Sequence, residues 1–205
     1  MGPDLVDVRS IDPSIRADMR YAGPGNFVGD PVDGYEAPTC LLSAEAAAAL
    51  ARVQSDLADD GLSLLVFDCF RPQRAVDHFV RWAEDTADLR TKPEYYPNVD
   101  KSRLFDEGYI ASRSGHSRAS TIDLTLARVG EEGLAQALDM GTPFDFFDPL
   151  SHTESPDITP AQLANRLMLR DAMEAGGFRN YAAEWWHYTL RDEPYPDEYF
   201  DQEIR

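Results

Sequence analysis

The chain has 205 residues, 43% hydrophobic and 27% charged, enough for one sizeable domain with a real core. Its 37 acidic and 19 basic residues give a formal net charge of -18, which argues against nucleic acid, because phosphate backbones are held by clustered Lys and Arg. The longest apolar run, Leu62 to Phe67, is strand-sized, well short of the roughly 18 residues of a membrane span. Met1-Gly2-Pro3-Asp4 has neither the basic start nor the apolar segment of a signal peptide, so the sequence as written puts the protein in the cytoplasm. A signal trimmed from in front of it would instead put it in the periplasm or outside the cell. Cys40 and Cys69 are either two reduced core thiols or one disulfide, and no CxxC spacing suggests a cysteine zinc site.

In chain order, residues 6–8 and 15–21 read as short strands, the second alternating Ile15, Ala17, Met19 and Tyr21 on one face. Residues 22–39 form a loop rich in Gly, Pro and Asp, long enough to suggest function. Ser43 caps a helix over 44–57, whose alanines suit close packing on a flat surface. Residues 62–67 then form a buried strand, and Pro72 opens a second helix reaching about Thr86. Residues 91–112 are irregular and aromatic. The run Ile122-Asp123-Leu124-Thr125-Leu126 is a strand, and 127–133 reads as a turn. Thr159-Pro160 starts a third helix with Leu163, Leu167, Leu169 and Met173 as apolar positions, and Gly176-Gly177 stops it. Residues 184–190 form the last strand, followed by an acidic, Pro-broken tail. One α+β domain over 1–205, with helices against a central, mainly antiparallel sheet, follows.

Three separate stretches offer the parts of one site. His116 lies in a small, turn-prone run, and Asp123 sits inside an apolar strand, where an unpaired carboxylate costs many kcal/mol. His187 and Glu184 come together in Glu184-Trp185-Trp186-His187. Two histidines, an aspartate and a spare glutamate are what a catalytic zinc centre with an open position needs. In the extended reading Glu184 has the opposite parity to His187, which makes it a base approaching from another angle rather than a ligand. Arg71 follows the apolar strand, where it would stabilise a developing oxyanion. Each residue also has an ordinary structural explanation, as have His78 and His152, which join no such constellation. A serine hydrolase built on Ser114 and His116 is disfavoured, because no Gly-x-Ser-x-Gly elbow exists.

The run Ser114-Gly115-His116-Ser117-Arg118-Ala119-Ser120-Thr121-Ile122-Asp123 resembles the S-x-H-x-x-G-x-A-x-D signature of the VanX-type D-alanyl-D-alanine dipeptidases. Glu184-Trp185-Trp186-His187 is similar to that family's E-x-x-H element. Segments 68–75, 140–146 and 19–27 are similar to three more of its segments. The resemblance implies a Hedgehog/D-Ala-D-Ala peptidase-like fold, one Zn2+ per chain on His116, Asp123 and His187, Glu184 as general base and Arg71 as transition-state stabiliser. It further implies that Ser114 and Tyr21 line a pocket for the dipeptide D-Ala-D-Ala, with Asp145 holding the substrate's ammonium. The role would lie in cell-wall precursor or fragment metabolism, glycopeptide resistance included. Ala119 and Thr121 depart from the motif's glycine and alanine, so a changed turn at 119 is expected. The rivals are a carboxypeptidase acting on longer stem peptides and a catalytically silent zinc-binding domain.

Overall fold

The structure is a computed structural model describing residues 2–130 and 135–205. Strand β1 (Leu5–Asp7) runs into the short helix α1 (Val8–Ile11), and β2 (Arg16–Ala17) follows. β3 (Leu41–Ser43) pairs with β1 in a small antiparallel sheet and leads directly into helix α2 (Ala44–Ala58). The central pair is β4 (Leu62–Asp68) and β5 (Thr121–Val129), antiparallel from Leu62 opposite Arg128 to Asp68 opposite Asp123, with a bulge between Val66 and Asp68. Helices α3 (Gln73–Glu84) and α4 (Lys92–Tyr95) lie between these two strands in the chain. After β5 come β6 (Ala135–Ala137), α5 (Pro160–Ala175), β7 (Phe178–Asn180) and β8 (His187–Leu190). Among the described residues the main sheet runs β2-β4-β5-β8-β7, with β6 on the far end of β5. Among the described strand pairs of this sheet only β2 on β4 is parallel, so the α+β reading with a mainly antiparallel sheet holds.

The apolar sequence of β4 and the first seven residues of β5 explains their central place, since both strands are buried on both faces. Helix α2 covers one face of this sheet with Ala46, Ala47, Ala49, Leu50, Val53 and Leu57, and Ser43 caps it by accepting from the Ala46 amide. The capping box of Thr159 and Gln162, with Pro160 in the first turn, starts α5. α5 packs on α2 where Gly176 leaves room: a Cβ there would run into Val53 Cγ2. α3 contributes Phe79 and Trp82 to an aromatic cluster with Tyr21, Phe27, Tyr96 and Phe147. Cys40 and Cys69 form a disulfide that ties the start of β3 to the end of β4, with Cα atoms 5.2 Å apart.

Several sequence expectations need correction. The strand expected over 15–21 is only Arg16–Ala17; beyond it Arg20–Ala22 is a 3-10 turn. It is cut short by the organisation of the following loop around the buried Asn26. The Asn26 side chain donates to the carbonyls of Arg20, Gly23 and Asp30 and accepts from the amides of Val28 and Gly29. β5 continues through Ala127–Val129 because β6 pairs with it there, so no turn begins at 127; residues 131–133 of that expected turn lie outside the described residues. The acidic tail returns to the body. The Phe200 amide donates to Ser117, the Ile204 amide donates to Gly34, and Ile204 is fully buried.

Candidate metal centre

The ends of three neighbouring strands meet at one edge of the sheet. Asp123 faces Asp68 on one side and His187 on the other, so the register alone brings a carboxylate of β5 beside the first residue of β8. His116 comes from a 3-10 turn, Gly115–Arg118, that ends just before β5. Ser114 caps this turn through its hydroxyl, and Ala119 closes it in the left-handed region at φ 65°. Ala119 thus takes the left-handed conformation that suits glycine, with the strain carried by an alanine.

The donor atoms converge. His116 Nδ1 donates to the Cys69 carbonyl at 2.7 Å, because a carbonyl only accepts. That fixes the tautomer and leaves the Nε2 lone pair facing inward, 3.3 Å from Asp123 Oδ1 and 3.3 Å from His187 Nδ1. Asp123 Oδ1 is 3.0 Å from His187 Nδ1, yet it is buried without a hydrogen bond. One ligand atom from each of the three residues lies within 4.8 Å of the others. A buried carboxylate oxygen left unbonded between two imidazole nitrogens is the signature of a missing cation, and a His-His-Asp donor set suits zinc. Burial opposes charge on Asp123, but the two imidazoles outweigh it and hold this carboxyl below the usual range.

Glu184 Oε2 lies 3.4 Å from His187 Nδ1. The expected strand over 184–190 begins only at His187, so the parity argument does not apply. Glu184 sits instead in a turn, its amide donating to Tyr181 and its carbonyl accepting from His187. A turn of this kind places residues three apart side by side, which is how Glu184 reaches the centre. Burial raises its carboxyl above the ordinary value, against the pull of His187.

Arg71, just beyond β4, donates through Nη1 to Ser114 Oγ at 3.4 Å and lies over the rings of Tyr21 and Phe79 at 5.2 and 5.1 Å. The buried Tyr21 hydroxyl donates to Asp145 Oδ2 at 2.7 Å. Asp145 has φ 60° and is buried, and burial, aided by the charge of Asp123, pushes its carboxyl well up. All eight residues singled out in the sequence line one cavity of about 300 Å³, together with Phe27, Tyr109, Phe147 and Trp186. No base serves Ser114, because the nearby histidine spends Nδ1 on Cys69 and turns Nε2 to the metal position; a serine nucleophile is not built here.

Sequence reasoning missed Asp68, which is fully buried against Arg71 and Tyr35. Its signal was an acid ending an apolar strand. It also missed the wall contributed by Tyr109 and Ile110, whose place depends on how an irregular segment packs.

A buried His-His-Asp cradle with the Glu184 carboxylate beside it, at the end of a mixed sheet, suits metal-assisted hydrolysis, and the family match makes the chain a metallopeptidase. The chain matches the family model for "D-ala-D-ala dipeptidase" over residues 1–205, and it belongs to that family. Similar proteins include D-alanyl-D-alanine dipeptidases of Streptomyces coelicolor, 48% identical over 98% of each chain, and of Enterococcus faecalis, 46% identical over 91% of each. The Escherichia coli D-alanyl-D-alanine dipeptidase is 35% identical over 91% of this chain and 84% of its own. A vancomycin resistance D,D-pentapeptidase VanY variant in complex with Zn(II) shares a distant likeness, with TM-score 0.43 and 13% identity over 74% of this chain and 73% of that one.

Proposed function

We propose that this protein hydrolyses D-Ala-D-Ala to two D-alanines, with one zinc ion held by His116, Asp123 and His187, in a single domain over 1–205. The observation that carries the reading is the convergence of three ligand atoms on a position where Asp123 Oδ1 has no hydrogen bond. When bound, the zinc supplies Lewis acidity to the scissile carbonyl and to the attacking water. Glu184, raised by burial toward a useful range, takes the water's proton and delivers it to the leaving nitrogen. Arg71 offers its guanidinium N–H groups to the oxygen of the attacked carbonyl as negative charge develops there. Asp145, steadied by Tyr21, pairs with the ammonium of the free amino terminus. Ser114 holds the Nη1 side of Arg71 at the cavity wall. A cavity of about 300 Å³ is at the small end for ligand sites, which supports a dipeptide over a longer stem.

Among the described residues no helix is long and apolar enough to cross a membrane. The Cys40–Cys69 disulfide supports work in an oxidising compartment, where such bonds persist, rather than in the cytoplasm.

The test is incubation of the zinc-loaded protein with D-Ala-D-Ala, L-Ala-L-Ala and a stem pentapeptide, scoring free alanine. Release from D-Ala-D-Ala alone is expected, abolished by a chelator and restored by stoichiometric zinc. Release chiefly from the pentapeptide would make it a carboxypeptidase, and no release from any of the three would make it a silent zinc-binding domain.

A further inference from the structure

Arg71 stands between two carboxylates on paired strands. Asp68 and Asp123 are cross-strand partners just past the bulge in β4, and the guanidinium lies within reach of both. The distances are unequal. Nε and Nη2 lie 2.9 and 2.8 Å from Asp68 Oδ2, while Asp123 Oδ2 is 3.6 Å from Nη2. Asp68 is fully buried, and its second oxygen accepts from the Tyr35 hydroxyl at 2.6 Å, so its carboxylate is held at both ends. His116 Nδ1 is 3.4 Å from Asp68 Oδ2 but gives its proton to the Cys69 carbonyl at 2.7 Å, so Asp68 is not the acceptor that orients that ring.

We propose that Asp68, braced by Tyr35, is a positioning residue that aims Arg71 into the cavity and keeps its guanidinium off the metal-site carboxylate Asp123. The inference rests on the zinc dipeptidase reading above. With Nε and one edge of Nη2 engaged by Asp68, Nη1 is left on the Ser114 side, facing the cavity. A fork-shaped donor set has a direction, and a buried carboxylate along one edge fixes it. Without the charge of Asp68, Asp123 is the nearest carboxylate on that side. Closing a gap of 3.6 Å to bonding distance takes a movement of less than about 1 Å. Arg71 would then compete with the metal for Asp123 and turn away from the substrate carbonyl at the same time. Asp68 thus serves both the orientation of Arg71 and the availability of a ligand, through one contact.

The test is a double-mutant cycle of Asp68→Asn and Arg71→Ala, read first by zinc affinity in competition with a chelating dye, then by kcat and KM on D-Ala-D-Ala. Asp68→Asn should bind zinc at least about 10-fold more weakly, the scale of a hydrogen bond from Arg71 to a charged Asp123 that the metal must displace. The double variant should regain the affinity of Arg71→Ala, and Asp68→Asn should cost no further kcat in that background. An equal loss of affinity with and without Arg71 would overturn the proposal, because a role in the fold or on His116 is indifferent to Arg71. If Asp68→Asn does not fold, Tyr35→Phe loosens the brace and keeps the charge. It should lower kcat severalfold with KM nearly unchanged, and only where Arg71 is present; the same loss in both backgrounds would sink the idea. The zinc measurements need no substrate, so a protein that leaves D-Ala-D-Ala intact defeats the dipeptidase reading and still reports on this one.

Discussion

Glu184 and His187 are three residues apart and touch, yet their proposed roles differ: one moves protons, the other holds metal. Replacement should separate these roles. Glu184→Ala should keep stoichiometric zinc while turnover falls by about 10² to 10⁴, the range for a positioned acid–base group. Metal analysis beside steady-state rates checks it, and loss of the metal would show that Glu184 is a ligand. Ala119 poses a different question, since a buried alanine sits at φ 65° where the signature has glycine. Relief of left-handed strain by glycine gains about 1–2 kcal/mol. Against that stand about 0.8 kcal/mol for the buried methyl and about 0.4–1 kcal/mol for the freer unfolded chain. The terms nearly cancel. Ala119→Gly should therefore change stability by less than about 1 kcal/mol in urea unfolding, whereas Ala119→Val, β-branched in that region, should lose more than about 2 kcal/mol. The three residues of the candidate metal site could be picked out because each sits in a short motif of fixed spacing. Asp68 could not, because its contacts join residues far apart in the chain, Tyr35 lying 33 residues away, and no short motif marks them.

At the scale of elements, the segment from 139 to 152 carries Asp145 and is held from below by α5. Arg166 is fully buried with no carboxylate partner among the described residues, and it donates to the carbonyls of Met140, Leu150 and His152. Burial lowers its pKa to about 10, which leaves it charged at neutral pH. Trp185 adds a bond to Thr142, and Ser151 one to the Phe146 carbonyl. Asp145 is thus presented by a stapled loop, so its charge cannot easily move to follow a different substrate. In an N-acetylated dipeptide the group it would meet is a neutral amide, and the Asp145 carboxyl, already pushed well up by burial, would take a proton there, so what is lost is the charged bond to the ammonium, worth about 1.5–3 kcal/mol. A specificity constant for free D-Ala-D-Ala about 10- to 100-fold above that for the N-acetyl form is expected, and Asp145→Asn should narrow the gap. Equal constants on both substrates in the unaltered protein would remove Asp145 from substrate recognition. The sequence showed α2, α3, α5, β4 and β5 through apolar runs and capping residues, which are local signals. It misjudged β2 and the start of β8, because both ends are set by hydrogen bonds from loops, those of Asn26 and of the Tyr181–His187 turn.

Across the whole molecule, a formal charge of -18 pushes the chain apart, and local pairing answers it where the tail returns. Arg118 forks onto Glu193, and Arg74 binds Asp201 and Glu203. The Arg74 contacts are exposed and each is worth little, so the tail is held chiefly by the largely buried, two-pronged Arg118–Glu193 pair, by buried Ile204 and by its backbone bonds.

The Cys40–Cys69 link makes part of this molecule's stability a matter of electrons. Its ends are 29 residues apart, and closing a loop of that length in the unfolded chain is worth about 3.5 kcal/mol. Taking up two electrons would surrender that constraint, and for a chain of this size the melting temperature should fall by roughly 7–14 °C. Thermal scans with and without a thiol reductant, paired with thiol counting, measure the change; an unmoved midpoint after full reduction would show that the link does not constrain the unfolded chain as reckoned. Because the Cys69 carbonyl also accepts the His116 proton, the redox poise of the surroundings reaches to within one hydrogen bond of the metal position.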